Sequence, residues 1–212
     1  MEIEKTQLQA WRNEMLVYKF ALDEVNTKLN ILNEEFQFIH NHNPIEHIKS
    51  RIKKPESIKK KLERKGLNLS IEEAKRELRD IAGIRVTCSF VNDIYRIVDL
   101  ICSQDDIELV DIKDYIKKPK PNGYRSIHLI VKVPVFLAER KEKVFVELQI
   151  RTIAMDTWAS LEHKIFYKYE RDIPVELKDQ LKEAANTVHA LDAKMQYINE
   201  EVNEIKRINV EV

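Results

Sequence analysis

The chain has 212 residues, enough for one generous domain or two small ones, and its 36 Lys plus Arg are matched by 36 Asp plus Glu. That balance excludes a global field drawing the protein to nucleic acid or an anionic membrane, so any polyanion site must be a local concentration of charge. No apolar run approaches the roughly 20 residues of a membrane span, and the start MEIEKTQLQ lacks a basic-then-apolar leader plan, so a cytoplasmic protein with no membrane partner is expected.

From Leu8 to Ile39 apolar residues recur at alternating spacings of three and four, through Trp11, Met15, Tyr18, Leu22, Val25, Leu29, Leu32 and Phe36. The spacing predicts one long amphipathic helix with a heptad seam, assigned to residues 1–43. The same pattern returns after Pro174 with Leu177, Leu181, Ala184, Val188, Leu191, Met195, Ile198, Val202 and Ile205, a second long helix over 171–212. Two uses of these seams stand open: covering the central sheet or each other, or building an oligomer.

The catalytic core is expected between them, over 44–170. It begins with Lys49–Lys65, nine basic residues against two acidic ones, in which Pro55 and Ser57 suit a helix start and Lys61 and Arg64 share one face of that helix. Such a cluster is a triphosphate cradle made of side chains, with Ser57 offering a hydroxyl or an amide; the rival readings are a solvated helix face and an RNA contact. Glycine cannot do the cradling. The three glycines, Gly66, Gly83 and Gly123, are too scattered for a glycine-rich phosphate loop.

A short helix is predicted over Ile71–Leu78. A strand follows with Ile84, Val86, Cys88 and Phe90 on one face and Arg85, Thr87 and Ser89 on the other, then a helix over Ile94–Cys102. Cys88 and Cys102, the only cysteines, read as reduced core thiols. Strands are predicted over Ile107–Tyr115 and Ile127–Val135, separated by a Pro/Asn-Gly loop that sets lysines and Arg125 beside Tyr115, Tyr124 and His128. Cations and aromatic rings in one loop suit a nucleotide, and the Asn122-Gly123 pair alone is equally a hairpin signal.

The last predicted strand alternates Val144, Val146, Leu148 and Ile150 with Phe145, Glu147, Gln149 and Arg151, and leads into a helix with Trp158, Leu161 and Ile165 on its buried side. The expectation is therefore an α/β (α+β) fold, a sheet of at least four strands with helices on one face and a polar face free for a ligand. Asp80, just ahead of one strand, and Glu147, inside another, are costly carboxylates for so apolar a sheet. Each alone fits an ion pair, Asp80 with Arg79 or Arg85 and Glu147 with Arg151; the pair together fits a hard cation such as Mg2+.

Four motifs, Arg51-Ile-Lys53, Asp80-Ile-Ala-Gly-Ile-Arg85, Gly123-Tyr-Arg-Ser-Ile-His128 and Glu147-Leu-Gln-Ile-Arg-Thr152, together resemble the synthetase domain of the Rel/Spo family, and most closely its single-domain small alarmone synthetases. The resemblance runs in motif from Ile45 to Tyr169. It implies one synthetase domain over 1–212, a mixed sheet of nucleotidyltransferase type, a homotetramer, and transfer of the β,γ-pyrophosphate of ATP to the 3′-hydroxyl of GDP or GTP. It further implies that Arg51 and Arg85 hold the adenine, that Lys53, Ser57, Lys61 and Arg64 hold the ATP phosphates, and that Asp80 and Glu147 bind Mg2+. Glu147 is also the implied base; Tyr124 would stack on guanine, with Lys120, His128, Gln149 and Asp156 as further acceptor contacts.

None of the six histidines is followed by Asp, so the family's hydrolase His-Asp pair is absent and only synthesis is expected. Product activation in some members uses basic side chains of the first helix and the segment after it; here Asn26, Asn30, Asn33, His47 and Lys49 stand in that stretch, and activation is not expected. An RNA-binding module and a nucleotidyltransferase releasing free pyrophosphate are the rival functions.

Overall fold

The computed structural model describes residues 2–40, 42–166 and 173–210. Tyr169 and the expected 170/171 boundary lie outside the described residues, as does the side chain of Leu8. A single five-stranded sheet organises the chain, built from β1 (Ile45–Ile52), β2 (Ala82–Cys88), β3 (Glu108–Asp114), β4 (Ile127–Phe136) and β5 (Lys141–Thr152). The spatial order is β1-β2-β5-β4-β3, with β2 and β5 parallel and the other neighbours antiparallel.

β1 is the strand the sequence conceals. It is an edge strand with a register shift between Ile45 and His47, and only Ile45 is fully buried. Charged side chains along an edge discourage pairing with another chain, and they also erase the alternation by which a strand is recognised.

Strand alternation gives the sheet two unlike faces. Ile84, Val86 and Cys88, Leu129, Val131 and Val133, and Val144, Val146 and Leu148 form a buried layer. Packed with it in one core are Tyr18, Leu22, Val25 and Leu29 of α1 (Glu2–Ile39) and Ile94, Ile97 and Ile101 of α4 (Val91–Cys102). The α1 seam thus covers the sheet, although Ile39 at its end is exposed. α4 starts where the Asp93 carboxylate accepts the Phe90 N–H at 3.1 Å.

Between β1 and β2 lie α2 (Pro55–Arg64) and α3 (Ile71–Glu77). Pro55 opens α2, Ile58 and Leu62 bury its inner side, and Ser70 caps α3 by accepting the Glu73 N–H at 3.1 Å. Both cysteines are free thiols, and burial raises each above its ordinary pKa.

The two remaining helices depart from expectation. α5 (Ile153–Phe166) buries Met155, Trp158 and Ala159 but leaves Leu161 and Ile165 exposed. It packs at the end of β2 and β5, where Thr87 and Arg151 are buried, so helices are not confined to one face. α6 (Val175–Val210) follows its heptads only in part: Leu181 and Val188 pack inward, but the buried residues are Ala185 and Asp192, whereas Leu177, Leu191, Met195, Ile198, Val202 and Ile205 are exposed. No described helix is long and apolar enough to cross a membrane.

Candidate active site

Because β1, β2, β5, β4 and β3 are neighbours, their polar-face residues line up in rows across the sheet. Arg51, Gly83, Glu147, Ile130 and Asp111 form one row; Lys49, Arg85, Gln149, His128 and Lys113 form the next. Gly83 contributes no side chain between Arg51 and Glu147, and that gap opens the floor of a hollow lined by Lys49, Arg51, Asp80, Arg85, Glu147 and Gln149.

Two further hollows share its walls. One holds Lys61, Lys65, Arg79 and Lys113 with Asp80 and Glu147; the other holds Arg51, Arg85, Tyr124, Gln149, Arg151 and His163. The three make a continuous trough with the carboxylates near its middle, as the polar face predicts.

Asp80 precedes β2, and neither arginine proposed for it is its recorded partner. Lys53 Nζ and Lys61 Nζ both donate to its Oδ2, at 2.5 and 2.6 Å, while its Oδ1 is buried with no hydrogen-bond partner. Burial alone would push this carboxyl up; the hydrogen bonds and charges of the two lysines prevail and hold it below the ordinary carboxylate range.

Glu147 is not paired with Arg151. Gln149 Nε2 donates to its Oε2 at 3.0 Å and His128 Nδ1 lies 3.4 Å from its Oε1. Burial and the charge of Asp80 raise its pKa, but His128, by hydrogen bond and charge, and the Gln149 amide outweigh them, so Glu147 also lies below the usual range. Both carboxylates are therefore ionised at neutral pH and feel each other's charge.

These acids suit a hard divalent cation. A buried carboxylate oxygen without a partner is a ligand in waiting, and oxygen donors on adjacent elements are the set that magnesium takes. Among the described residues no group of three or more His, Cys, Asp or Glu converges as a metal cluster. Two protein carboxylates would leave most of the shell to phosphate and water.

The loop between β3 and β4 forms the far wall. Lys120 Nζ sits over the rings of Tyr115 and Tyr124, 4.8 and 4.7 Å from their centroids. The Tyr124 hydroxyl is 2.9 Å from His128 Nε2 and accepts from Ser126 Oγ at 3.0 Å. His128 thus bridges the two sides of the site, with the Tyr124 hydroxyl at Nε2 and the Glu147 carboxylate near Nδ1.

The loop is braced against α6. Trp158 Nε1 donates to the Leu181 carbonyl at 3.2 Å, and Tyr124, Leu181 and Val188 pack around Trp158, Ala159 and Ala185, so Trp158 is core as expected. Gly123 has φ +87°, and a Cβ there would lie 2.5 Å from that of Ala185.

Ser57 and Arg64 stand exposed on α2 and line none of the three hollows. The Ser57 amide already donates to the Lys54 carbonyl at 2.9 Å, leaving its hydroxyl for a ligand. Asp156, near the start of α5, has its Oδ1 3.3 Å from both Arg85 Nη1 and Arg151 Nε. Sequence reasoning gave no role to Lys113 or Gly83; it placed Arg151 on the polar face as an ion-pair partner for Glu147, but nothing local signals that its guanidinium is buried.

The chain is similar in sequence and fold to known proteins. The sequence pattern of the region found in RelA and SpoT proteins matches residues 50–172. Over 199 residues the chain is 55% identical to the GTP pyrophosphokinase YwaC of Bacillus subtilis, covering 94% of this chain and 95% of that one. The crystal structure of small alarmone synthetase 2 from Bacillus subtilis superposes with a TM-score of 0.82 at 54% identity, over 90% of this chain and 98% of the other. Small alarmone synthetase 1 of the same organism, bound to its product pppGpp, superposes with a TM-score of 0.85 at 36% identity, over 92% and 98%.

Proposed function

The chain belongs to the family defined by the region found in RelA and SpoT proteins, and on that premise we propose that it makes ppGpp and pppGpp by moving the β,γ-pyrophosphate of ATP to the 3′-hydroxyl of GDP or GTP, releasing AMP. The observation that carries this reading is the trough itself: two ionised carboxylates in its middle, lysines at Asp80, and an aromatic and cationic loop beside Glu147. Transfer of this kind asks a protein mainly to align the nucleophile with the leaving group and to neutralise charge.

In this reading Arg51 and Arg85 clasp the adenine, and Lys53, Lys61, Ser57 and Arg64 take the ATP phosphates. Tyr124 stacks on guanine, with Lys120, His128, Gln149 and Asp156 as acceptor contacts. The 3′-oxygen attacks the β-phosphorus as the bond from that phosphorus to the α,β-bridging oxygen breaks, and AMP departs with the bridging oxygen. Glu147 receives the 3′-hydroxyl proton late in the step, because a carboxylate is far less basic than an alkoxide. Asp80 and Glu147 would hold Mg2+, which when bound neutralises charge gathering on the transferred phosphates.

The exposed α6 stripe supports an oligomer, for which a tetramer is the arrangement implied by the resemblance, and a cytoplasmic location suits a reaction that draws on ATP and guanine nucleotides. Incubation with ATP, GDP and magnesium, followed by nucleotide chromatography, tests the reaction. AMP with a pyrophosphorylated guanosine is expected; free pyrophosphate, or no product, would oppose it. Glu147→Gln should keep the fold and lose about 10²–10⁴ of kcat; near-normal turnover would remove its role.

A further inference from the structure

Arg151 takes no part in the scheme above, yet it is the largest side chain that the core encloses completely, at 2% exposure. Enclosing a guanidinium costs several kcal/mol even with a partner, and an apolar side chain of similar size would serve stability as well or better. Its hydrogen bond runs back along β5. Nη2 donates to Gln149 Oε1 at 3.2 Å, while Gln149 Nε2 donates to Glu147 Oε2 at 3.0 Å.

The direction is fixed by chemistry. A guanidinium only donates and an ionised carboxylate only accepts, so an amide between them has one satisfactory orientation, carbonyl toward Arg151 and NH2 toward Glu147. The guanidinium also lies beside an opposite charge, its Nε 3.3 Å from Asp156 Oδ1, although neither of these two atoms has a hydrogen-bond partner. Residues 147, 149 and 151 share one face of a strand, so no backbone movement is needed to close the chain.

We propose that Arg151 is a positioning residue for pyrophosphate transfer, setting the Gln149 amide so that it fixes the carboxylate of Glu147 toward the acceptor 3′-hydroxyl. This rests on the reading of Glu147 as the proton acceptor. Without Arg151 the amide carbonyl loses its anchor, so the Gln149 side chain can swing and no longer fixes the direction of the Glu147 carboxylate. A displacement of about 1 Å at a reacting group can cost on the order of a hundredfold in rate. Arg151 borders the trough but is almost fully enclosed and has no place among the nucleotide contacts proposed above, so the loss should fall on kcat.

The test is steady-state kinetics of Arg151→Met, Gln149→Leu and the double variant in the full chain, with Glu147→Gln in parallel. Arg151→Met should lower kcat by roughly 10–100-fold and leave the KM of ATP and of GDP within about threefold. The double variant should lose no more kcat than Gln149→Leu alone, because both break one relay. A near-normal kcat for Arg151→Met, losses that multiply in the double variant, or a change confined to KM would overturn the proposal.

If Arg151→Met lacks the wild-type circular dichroism spectrum, Arg151→Lys decides. It keeps the buried charge but has one nitrogen where the guanidinium reaches Asp156 and Gln149 with two; a kcat reduced about tenfold at constant KM supports the relay, and a wild-type kcat overturns it. An active Glu147→Gln would sink the reading of Glu147 itself, whereas an inactive one beside a fully active Arg151→Met sinks only the relay.

Discussion

Replacing Gly123 by alanine should weaken the fold by about 2–5 kcal/mol and damage the acceptor side of the site in the same stroke. Two costs add. The backbone at Gly123 has φ +87°, where an L side chain costs roughly 1–2 kcal/mol. The new Cβ would then stand 2.5 Å from the Ala185 Cβ, where carbon atoms prefer about 3.5–4.0 Å. Ala185 is on a helix backbone and cannot swing aside, so the overlap resembles overpacking of a core at about 1–3 kcal/mol. Relief comes only from lifting the loop, whose Gly123 N–H donates to the Lys120 carbonyl at 2.8 Å, and with it Tyr124 and Lys120.

Urea denaturation of Gly123→Ala, Ala185→Gly and the double variant separates the two costs. The steric part should vanish in the double variant, giving a coupling of about 1–3 kcal/mol, while the φ part persists. Additive losses, or a Gly123→Ala protein within about 0.5 kcal/mol of wild type, would refute the claim that α6 sets the height of the loop.

Tyr124→Ala should raise the KM of GDP or GTP roughly tenfold or more, in line with the loss of one stacked base, and change that of ATP far less; equal shifts would contradict the stacking assignment. Asp192 is buried, with a hydroxyl from Thr152 at 2.8 Å, and burial raises its carboxyl above the ordinary value despite that bond. The folded state therefore holds its proton more tightly than the unfolded chain, and stability is lost as pH rises through the folded pKa. Asp192→Asn should melt higher than wild type at neutral pH, with the advantage fading below the ordinary carboxylate range; a pH-independent difference would refute it. Leu191→Glu with Ile198→Glu should lower the sedimentation mass while leaving the circular dichroism spectrum intact, and an unchanged mass would exclude the α6 stripe as a subunit contact.

The sequence was most legible where local periodicity and tertiary burial agree. The α1 seam, the faces of β2 and β5, and the Pro/Asn-Gly loop could be read because each residue's neighbours along the chain are also its neighbours in the layer. β1 was missed since an edge strand needs no apolar alternation. The inward side of α6 is legible at Leu181 and Val188 but not beyond them, because Ala185 and Asp192, which meet the loop and Thr152, are residues the heptad pattern does not select. In the site, residue types announced carboxylates and cations, whereas the partners did not follow. Asp80 found Lys53 and Lys61 because β1 lies beside β2, and Glu147 found His128 because β4 lies beside β5.

The parallel pairing of β2 with β5 carries a consequence for biosynthesis. Ala82 faces Val146 across that ladder, 64 residues further along the chain (146 − 82). Hairpins such as β3–β4 can close over short spans, but this ladder joins the strand entered at Asp80 to the strand bearing Glu147 only after a long loop has been ordered, which is a slow kind of contact. A nascent chain that has not yet released β5 from the ribosome carries Asp80 without Glu147 and an unpaired side of β2. The carboxylate pair proposed for the metal is thus completed late and in one step, and translation products that end before β5 cannot contain it.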